Sequence, residues 1–133
     1  MSNDPTKIEV DDDEWLARFV FSRGHIRASD HTVKADAFIP PQNLELSVAR
    51  HLNLSSDEIW GAGMEISKSR PAVTLCGRED IQATSARRQF LNVRAQPPPK
   101  YHAVIYGWPS YKPAQKIVAL ELARLAHYSP KPD

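Results

Sequence analysis

The chain has 133 residues, enough for one domain with a hydrophobic core but too few for two domains of ordinary size. Its 41% apolar and 25% charged residues are typical of globular proteins. No apolar run approaches the roughly 20 residues that cross a bilayer, and the N-terminus lacks the basic and apolar regions of a secretory signal. A single cysteine, Cys76, excludes an internal disulfide and agrees with a reducing compartment. We therefore expect a cytoplasmic protein without a membrane partner.

Charge is unevenly distributed along the chain. Residues 1–14 contain one lysine and six carboxylates: Asp4, Glu9, Asp11, Asp12, Asp13 and Glu14. The remainder contains 16 basic and 10 acidic residues. Because the acidic segment has little apolar surface to offset the entropy of ordering, it is predicted to be a disordered tail. The domain is then expected over residues 15–128, with a second disordered tail over residues 129–133.

Three strands and a helix are predicted in the first half of the domain. Aromatic and β-branched residues indicate a strand over Trp15–Ser22, which a polar loop follows. Apolar and polar residues alternate over Val33–Ile39 and over Leu44–Leu52, which is the period of a strand. A helix is expected from Ser55, whose hydroxyl suits the first turn, to about Arg70, which precedes a proline.

The second half predicts three more strands and a final helix. Short strands are expected over Val73–Cys76, Leu91–Ala95 and Tyr101–Trp108, with a helical turn or loop after the first and a stiff proline spacer before the last. Apolar residues recur with helical period over Ala114–His127: Ile117, Leu120, Leu122, Ala123 and Leu125. The order β-β-β-α-β-β-β-α predicts a single small α+β domain, with a mostly antiparallel or mixed sheet covered on one face by two helices.

The loop after the first predicted strand is rich in arginine and histidine. It contains Arg23, His25, Arg27 and His31. These residue types bind phosphate or transfer protons, and loops allow polar side chains to converge. Arg50 and His51 end the third predicted strand and would join the same basic pocket if both segments lie at one edge of the sheet. The alternative for both groups is a set of solvated polar side chains.

Two further groups are candidates. His102 lies inside the last predicted strand, where a histidine acts as a general base or, alternatively, as an ordinary hydrogen-bonded sheet residue. Arg78, Arg87 and Arg88 form a basic cluster that we expect to bind anions, although a charged solvent-exposed face is the alternative. The cluster has few aromatic neighbours, which distinguishes it from the usual single-strand nucleic-acid groove.

Neither a metal nor a cofactor is predicted. The histidines and carboxylates show no pair at compact ligand spacing, and the sequence has no glycine-rich phosphate loop, dinucleotide fingerprint or GxSxG motif. Cys76 follows apolar residues, so a buried and inert thiol is favoured over a nucleophile.

Five segments together resemble a family of small uncharacterised bacterial proteins: RFVFS (18–22), KADAFIPP (34–41), LELSVARH (44–51), DEIW (57–60) and HAVIYGWP (102–109). The resemblance implies a bacterial cytosolic protein. It implies no activity, cofactor or catalytic residue.

Three functions remain open from the sequence. The first is a non-catalytic accessory or adaptor domain whose basic face binds an acidic protein or nucleic acid. The second is a small enzyme acting on a phosphodiester or nucleotide, with His25, His51 or His102 as acid or base and Arg23, Arg50 or Arg78 holding the phosphate. The third is an assembly module, including a homo-oligomer, that uses exposed aromatic residues such as Trp60, Trp108 and Tyr111.

Overall fold

The computed structural model describes residues 9–22, 35–70 and 72–132. The strands are β1 Trp15–Val20, β2 Leu46–Arg50, β3 Gly77–Gln82, β4 Asn92–Ala95, β5 His102–Tyr106 and β6 His127–Pro130. The helices are α1 Ser56–Ser69, α2 Ala83–Arg87 and α3 Lys112–Leu125, and a 3-10 helix spans Ala35–Phe38. All six strands form one antiparallel sheet in the order β4-β5-β2-β1-β3-β6. The predicted single α+β domain is confirmed.

Helices cover both faces of the sheet, whereas the sequence predicted both helices on one face. Leu16 packs with Phe38 and with Leu122 of α3 in one apolar cluster. Its neighbour Ala17 packs with Ile59 of α1 in a second cluster. Because consecutive strand residues point to opposite faces, a central strand buried on both sides needs a covering layer on each.

Helix α1 begins where its sequence predicts. The Ser55 hydroxyl accepts a hydrogen bond from the Glu58 N–H (3.2 Å), and the Glu58 carboxylate accepts one from the Ser55 N–H (2.9 Å). This reciprocal capping satisfies two N–H groups of the first turn. The helix ends at Arg70, as expected from the proline after it. Gly63 lets the helix pack closely on the sheet, since a Cβ at this position would lie only 2.8 Å from the Phe19 ring.

The strand prediction over Val33–Ile39 is wrong where the structure describes it. Residues 35–38 form the 3-10 helix, and residues 33–34 lie outside the described residues. The carbonyl of Ala37 accepts a hydrogen bond from the Arg18 side chain (2.9 Å) instead of from a neighbouring strand. Both Ala37 and Phe38 are buried, so the alternation of apolar residues reflects packing of a short turn between the sheet and α3.

Strand β3 lies after the predicted segment Val73–Cys76. It contains Arg78, Glu79 and Asp80, all of them buried. The strand pairs with β1 on one side and β6 on the other, so its backbone hydrogen bonds are satisfied despite its polar side chains. Because this segment is polar, the sequence predicted a helical turn or loop after Cys76. Only α2 matches that prediction.

Both predicted domain boundaries require correction. Val10 and Glu14 are buried, so the domain begins before Trp15, while residues 1–8 of the predicted acidic tail lie outside the described residues. At the other end, Ser129 pairs with Arg78 in the sheet, and the N–H of Lys131 donates to the carbonyl of Cys76 (2.9 Å). The charge of the first segment and the proline content of the last led to the prediction of disordered tails. Neither pattern shows that a segment packs against the rest of the domain.

The final helix is confirmed, but its buried side is narrower than predicted. Leu122 is fully buried together with Gln115 and Ala119. Ile117 and Leu120 are 72% and 56% exposed. Residues 115, 119 and 122 share one helical face, on which Ala119 and Leu122 join the apolar cluster of Leu16.

Candidate active site

A cleft opens where strands β1 and β2 separate. These strands pair at only two positions, whereas β1 pairs with β3 at six and β2 with β5 at four. Beyond Ala17, the Arg18 guanidinium lies in the gap and donates to the Ser47 carbonyl (2.9 Å). The cleft has a volume of about 60 Å³ and is partly open to solvent. It is lined by Arg18, Phe19, Phe21, Ser47, Val48, Ala49, Ile66, Arg70, Tyr101 and His102.

Ser47 and His102 form a hydrogen-bonded pair in this cleft. The Ser47 hydroxyl oxygen lies 3.2 Å from His102 Nε2, and His102 Nδ1 lies 2.8 Å from the Gln96 carbonyl oxygen. A carbonyl oxygen only accepts, so Nδ1 carries the hydrogen. In the neutral ring, Nε2 then presents its lone pair to the serine hydroxyl. This is the arrangement of a nucleophile, a general base and a group that orients the base.

The fold explains why these groups meet. Ala49 pairs with His102, so Ser47 lies two residues along β2 on the same sheet face as the histidine. The segment before β5 turns back through its prolines, and the N–H of Gln96 donates to the His102 carbonyl (2.8 Å). The His102 N–H in turn donates to the Pro99 carbonyl (2.9 Å). The turn therefore fixes the Gln96 carbonyl next to the imidazole ring.

The cleft carries positive charge without a carboxylate among its described lining residues. Burial, and secondarily the positive charge of Arg70, lowers the pKa of Arg18 to about 10. Arg18 remains protonated at neutral pH, because even this lowered pKa lies well above 7. Among the described residues, its Nε donates to the Ala37 carbonyl and one Nη donates to the Ser47 carbonyl, and these two bonds use only part of the guanidinium's five N–H groups.

The other predicted histidine site has a different character. His51 Nε2 lies 3.0 Å from Asp80 Oδ1, and Arg78 Nε donates to Asp80 Oδ2 (3.2 Å). The Arg78 guanidinium also lies 4.9 Å from the centre of the Trp60 ring. Asp80 thus joins Arg78 and His51 in a largely buried network, and no hydroxyl or thiol nucleophile hydrogen-bonds to His51 in the described part of the chain.

Arg50 and Arg87 both bind the acidic segment that precedes β1. Arg50 Nη2 pairs with Glu14 at 2.7 Å, and both side chains are buried. Arg87 pairs with Asp12 at 2.6 Å and donates to the Val10 carbonyl at 2.7 Å. These arginines hold the chain's own carboxylates, so their predicted role in binding an external anion stays a prediction.

The remaining predicted residues are placed as follows. Arg88 is exposed at the end of α2. Arg23, His25 and Arg27 lie outside the described residues, so the predicted pocket around them is not described. Arg50 and His51 bind different carboxylates, Glu14 and Asp80.

Of the three aromatic residues expected at an assembly surface, only Tyr111 is exposed. It is 69% exposed, whereas Trp60 and Trp108 are 9% and 5% exposed. The prediction of exposed tryptophans is therefore wrong, because both indole rings pack into the apolar clusters on either side of the sheet.

Sequence reasoning identified His102 but missed Ser47, Gln96, Arg18 and Arg70. The alternation over Leu44–Leu52 puts Ser47 on the side of the strand opposite Leu46 and Val48. Nothing in the sequence fixed which strand lies beside β2, so the pairing with His102 was not visible.

Comparison with protein-family models, curated proteins and solved structures finds no match to this chain. The bacterial family resemblance therefore stays a prediction. Among the described residues there is neither a group of three metal-ligating side chains nor a helix long and apolar enough to span a membrane.

Proposed function

We propose that the protein is a small hydrolase in which Ser47 is the nucleophile and His102 is the general base. This is the enzyme among the three functions left open by the sequence. The observation that carries the proposal is the contact between Ser47 Oγ and His102 Nε2, with Nδ1 bonded to the Gln96 carbonyl. The pair lines a cleft that is partly open to solvent.

The chemistry follows from the proton positions. Ser47 Oγ attacks an electrophilic ester centre while its proton passes to His102 Nε2. The leaving alcohol takes that proton from the imidazolium. Water then attacks the covalent intermediate and gives a proton to His102, which passes it to Ser47 Oγ as the serine is released. Arg18 and Arg70 are the donors in the cleft that stabilise negative charge during both steps.

Covalent labelling tests this proposal. A fluorophosphonate reacts with a serine whose hydroxyl is activated by a base, so we expect one adduct on Ser47 by intact-protein and peptide mass spectrometry. Ser47→Ala is expected to remove the adduct. The matched control Ser110→Ala changes an exposed serine outside this cleft and is expected to label like the unchanged protein. Absence of labelling on Ser47 in the folded protein would overturn the proposal.

The adaptor function stays a second expectation. It needs free cations, yet Arg50, Arg78 and Arg87 all pair with carboxylates of the same chain. Salt-dependent binding of a polyanion that is unchanged by Ser47→Ala and reduced by Arg88→Gln would favour the adaptor instead.

A further inference from the structure

The charge in the cleft points to the class of substrate. Arg18 and Arg70 both line it, and Arg70 has no side-chain hydrogen bond or ion pair within the described part of the chain. The effect of Arg70 on the pKa of Arg18 indicates that the two positive charges repel across the cleft. A bound anion would offset this repulsion, and the cleft lining supplies none of its own.

One wall of the cleft is apolar and aromatic. It includes the rings of Phe19 and Phe21, whose centres are 6.5 Å apart, and the side chain of Ile66 near the end of α1. Tyr101 lines the cleft beside the histidine. Phe19 is buried, but Phe21 and Ile66 are partly exposed. A purely ionic ligand would leave those two side chains in contact with water, whereas an aromatic group would bury them.

We propose that the substrate is a small phosphodiester with an aromatic substituent, an inference that rests on the hydrolase function proposed above. The phosphate is held by Arg70 and the remaining N–H groups of Arg18, because guanidinium matches phosphate with paired hydrogen bonds. The aromatic substituent packs against Phe19, Phe21 and Ile66.

Two guanidinium groups also suit the reaction of a phosphodiester. Attack of the Ser47 alkoxide on phosphorus adds one negative charge to the phosphoryl oxygens, so two cations stabilise the transition state more than the singly charged substrate. The bond from phosphorus to Ser47 Oγ forms as the bond to the leaving oxygen breaks, and His102 carries the serine proton to that oxygen. The intermediate is a phosphodiester between Ser47 Oγ and the remaining substituent, and water then breaks its bond to Ser47, so the products are an alcohol and a phosphomonoester.

The test measures binding separately from turnover. Ser47→Ala removes the nucleophile, and isothermal titration calorimetry then compares three probes: diphenyl phosphate, dimethyl phosphate and neutral benzophenone. We expect diphenyl phosphate to bind at least about tenfold more tightly than either of the others, because only it supplies both a charge-assisted hydrogen-bond partner and aromatic rings. Equal affinities for all three probes would overturn the inference.

The arginine assignment is tested in the same background. Arg70→Gln is expected to weaken diphenyl phosphate binding by about tenfold, since it removes a charged donor. Arg88→Gln is the matched control, because Arg88 is also exposed but lies outside the cleft lining. Loss of affinity in both variants alike would contradict a specific phosphate site.

These results separate the substrate class from the hydrolase function. If a fluorophosphonate labels Ser47 but diphenyl phosphate does not bind, the substrate class is wrong and the hydrolase stands. If diphenyl phosphate binds through Arg70 but Ser47 is not labelled, the phosphate site stands and the hydrolase is wrong.

Discussion

Two groups of basic residues around the sheet differ in what they bind. Arg50 and Arg78 form ion pairs with carboxylates, His51 hydrogen-bonds to one, and these contacts are largely buried. Arg18 and Arg70 face a cleft whose described lining has no carboxylate. The ion pairs of Arg50 and Arg78 therefore stabilise the fold, while the charges of Arg18 and Arg70 remain available to bind a ligand. The same distinction separates the histidines, since His51 binds a carboxylate and His102 binds a hydroxyl.

The largest effect is expected from breaking the most buried pair. Glu14→Ala leaves the Arg50 guanidinium buried without its carboxylate and should lower the free energy of unfolding by about 3–5 kcal/mol. Asp13→Ala is the matched control one residue earlier, where the side chain is exposed, and should change it by less than about 0.5 kcal/mol. Urea unfolding followed by tryptophan fluorescence measures both. Equal effects would mean that the pair of Glu14 and Arg50 contributes no more to stability than the exposed Asp13 does.

The Asp80 network should give a smaller loss. Asp80→Asn keeps the shape of the side chain but removes the charge shared by Arg78 and His51, and it should cost about 1.5–3 kcal/mol of unfolding free energy. Fluorophosphonate labelling of Ser47 should be unaffected once folding is verified by circular dichroism. A change in labelling rate without a change in stability would show that this network belongs to the reactive site.

Glu79 makes stability depend on pH in the opposite direction to a paired carboxylate. Burial, and then the negative charge of Asp80, raises the pKa of Glu79 to about 8 from an ordinary 4.5. The folded state therefore holds this proton more tightly than the unfolded state. Protonated Glu79 therefore makes its full contribution to the free energy of unfolding below pH 4.5, and this contribution is lost as the pH rises towards 8.

Glu79→Gln tests this pH dependence. The neutral amide cannot ionise, so we expect the variant to lose less stability than the unchanged protein between pH 5 and pH 8.5 in urea unfolding. Asp80→Asn should move the pKa of Glu79 downwards, because it removes one of the two causes of the shift. An unchanged pH profile in Glu79→Gln would assign the dependence to other groups.

The smallest effect on stability is expected in the cleft. Arg70→Gln removes an exposed charge without a partner in the described residues, so the free energy of unfolding should change by less than about 0.5 kcal/mol. A loss comparable to that of Glu14→Ala would show that Arg70 supports the fold, which would remove the basis for a ligand-binding role.

Local sequence patterns predicted those parts of the fold that depend on local chemistry. The cap at Ser55 and the proline after Arg70 set the limits of α1, and aromatic and β-branched residues marked β1 and β5. Strand β3 was not predicted because its residues Arg78, Glu79 and Asp80 are charged. Its strand conformation depends on pairing with β1 and β6.

The site was less predictable because it depends on sheet order. His102 could be nominated from its position in a β-prone segment. Its serine partner lies 55 residues away on β2, and only the pairing of β2 with β5 brings the two together. The cleft itself results from the separation of β1 and β2, which leaves no trace in hydrophobic periodicity.

The most direct test compares the two histidines by the rate at which a fluorophosphonate labels Ser47. His102→Gln removes the base bonded to the serine, whereas His51→Gln changes the histidine bound to Asp80. The account predicts that His102→Gln lowers the labelling rate by about 10²–10⁴-fold, the usual contribution of a general base, and that folded His51→Gln labels at the unchanged rate. Equal labelling rates in the two variants would contradict a catalytic role for His102.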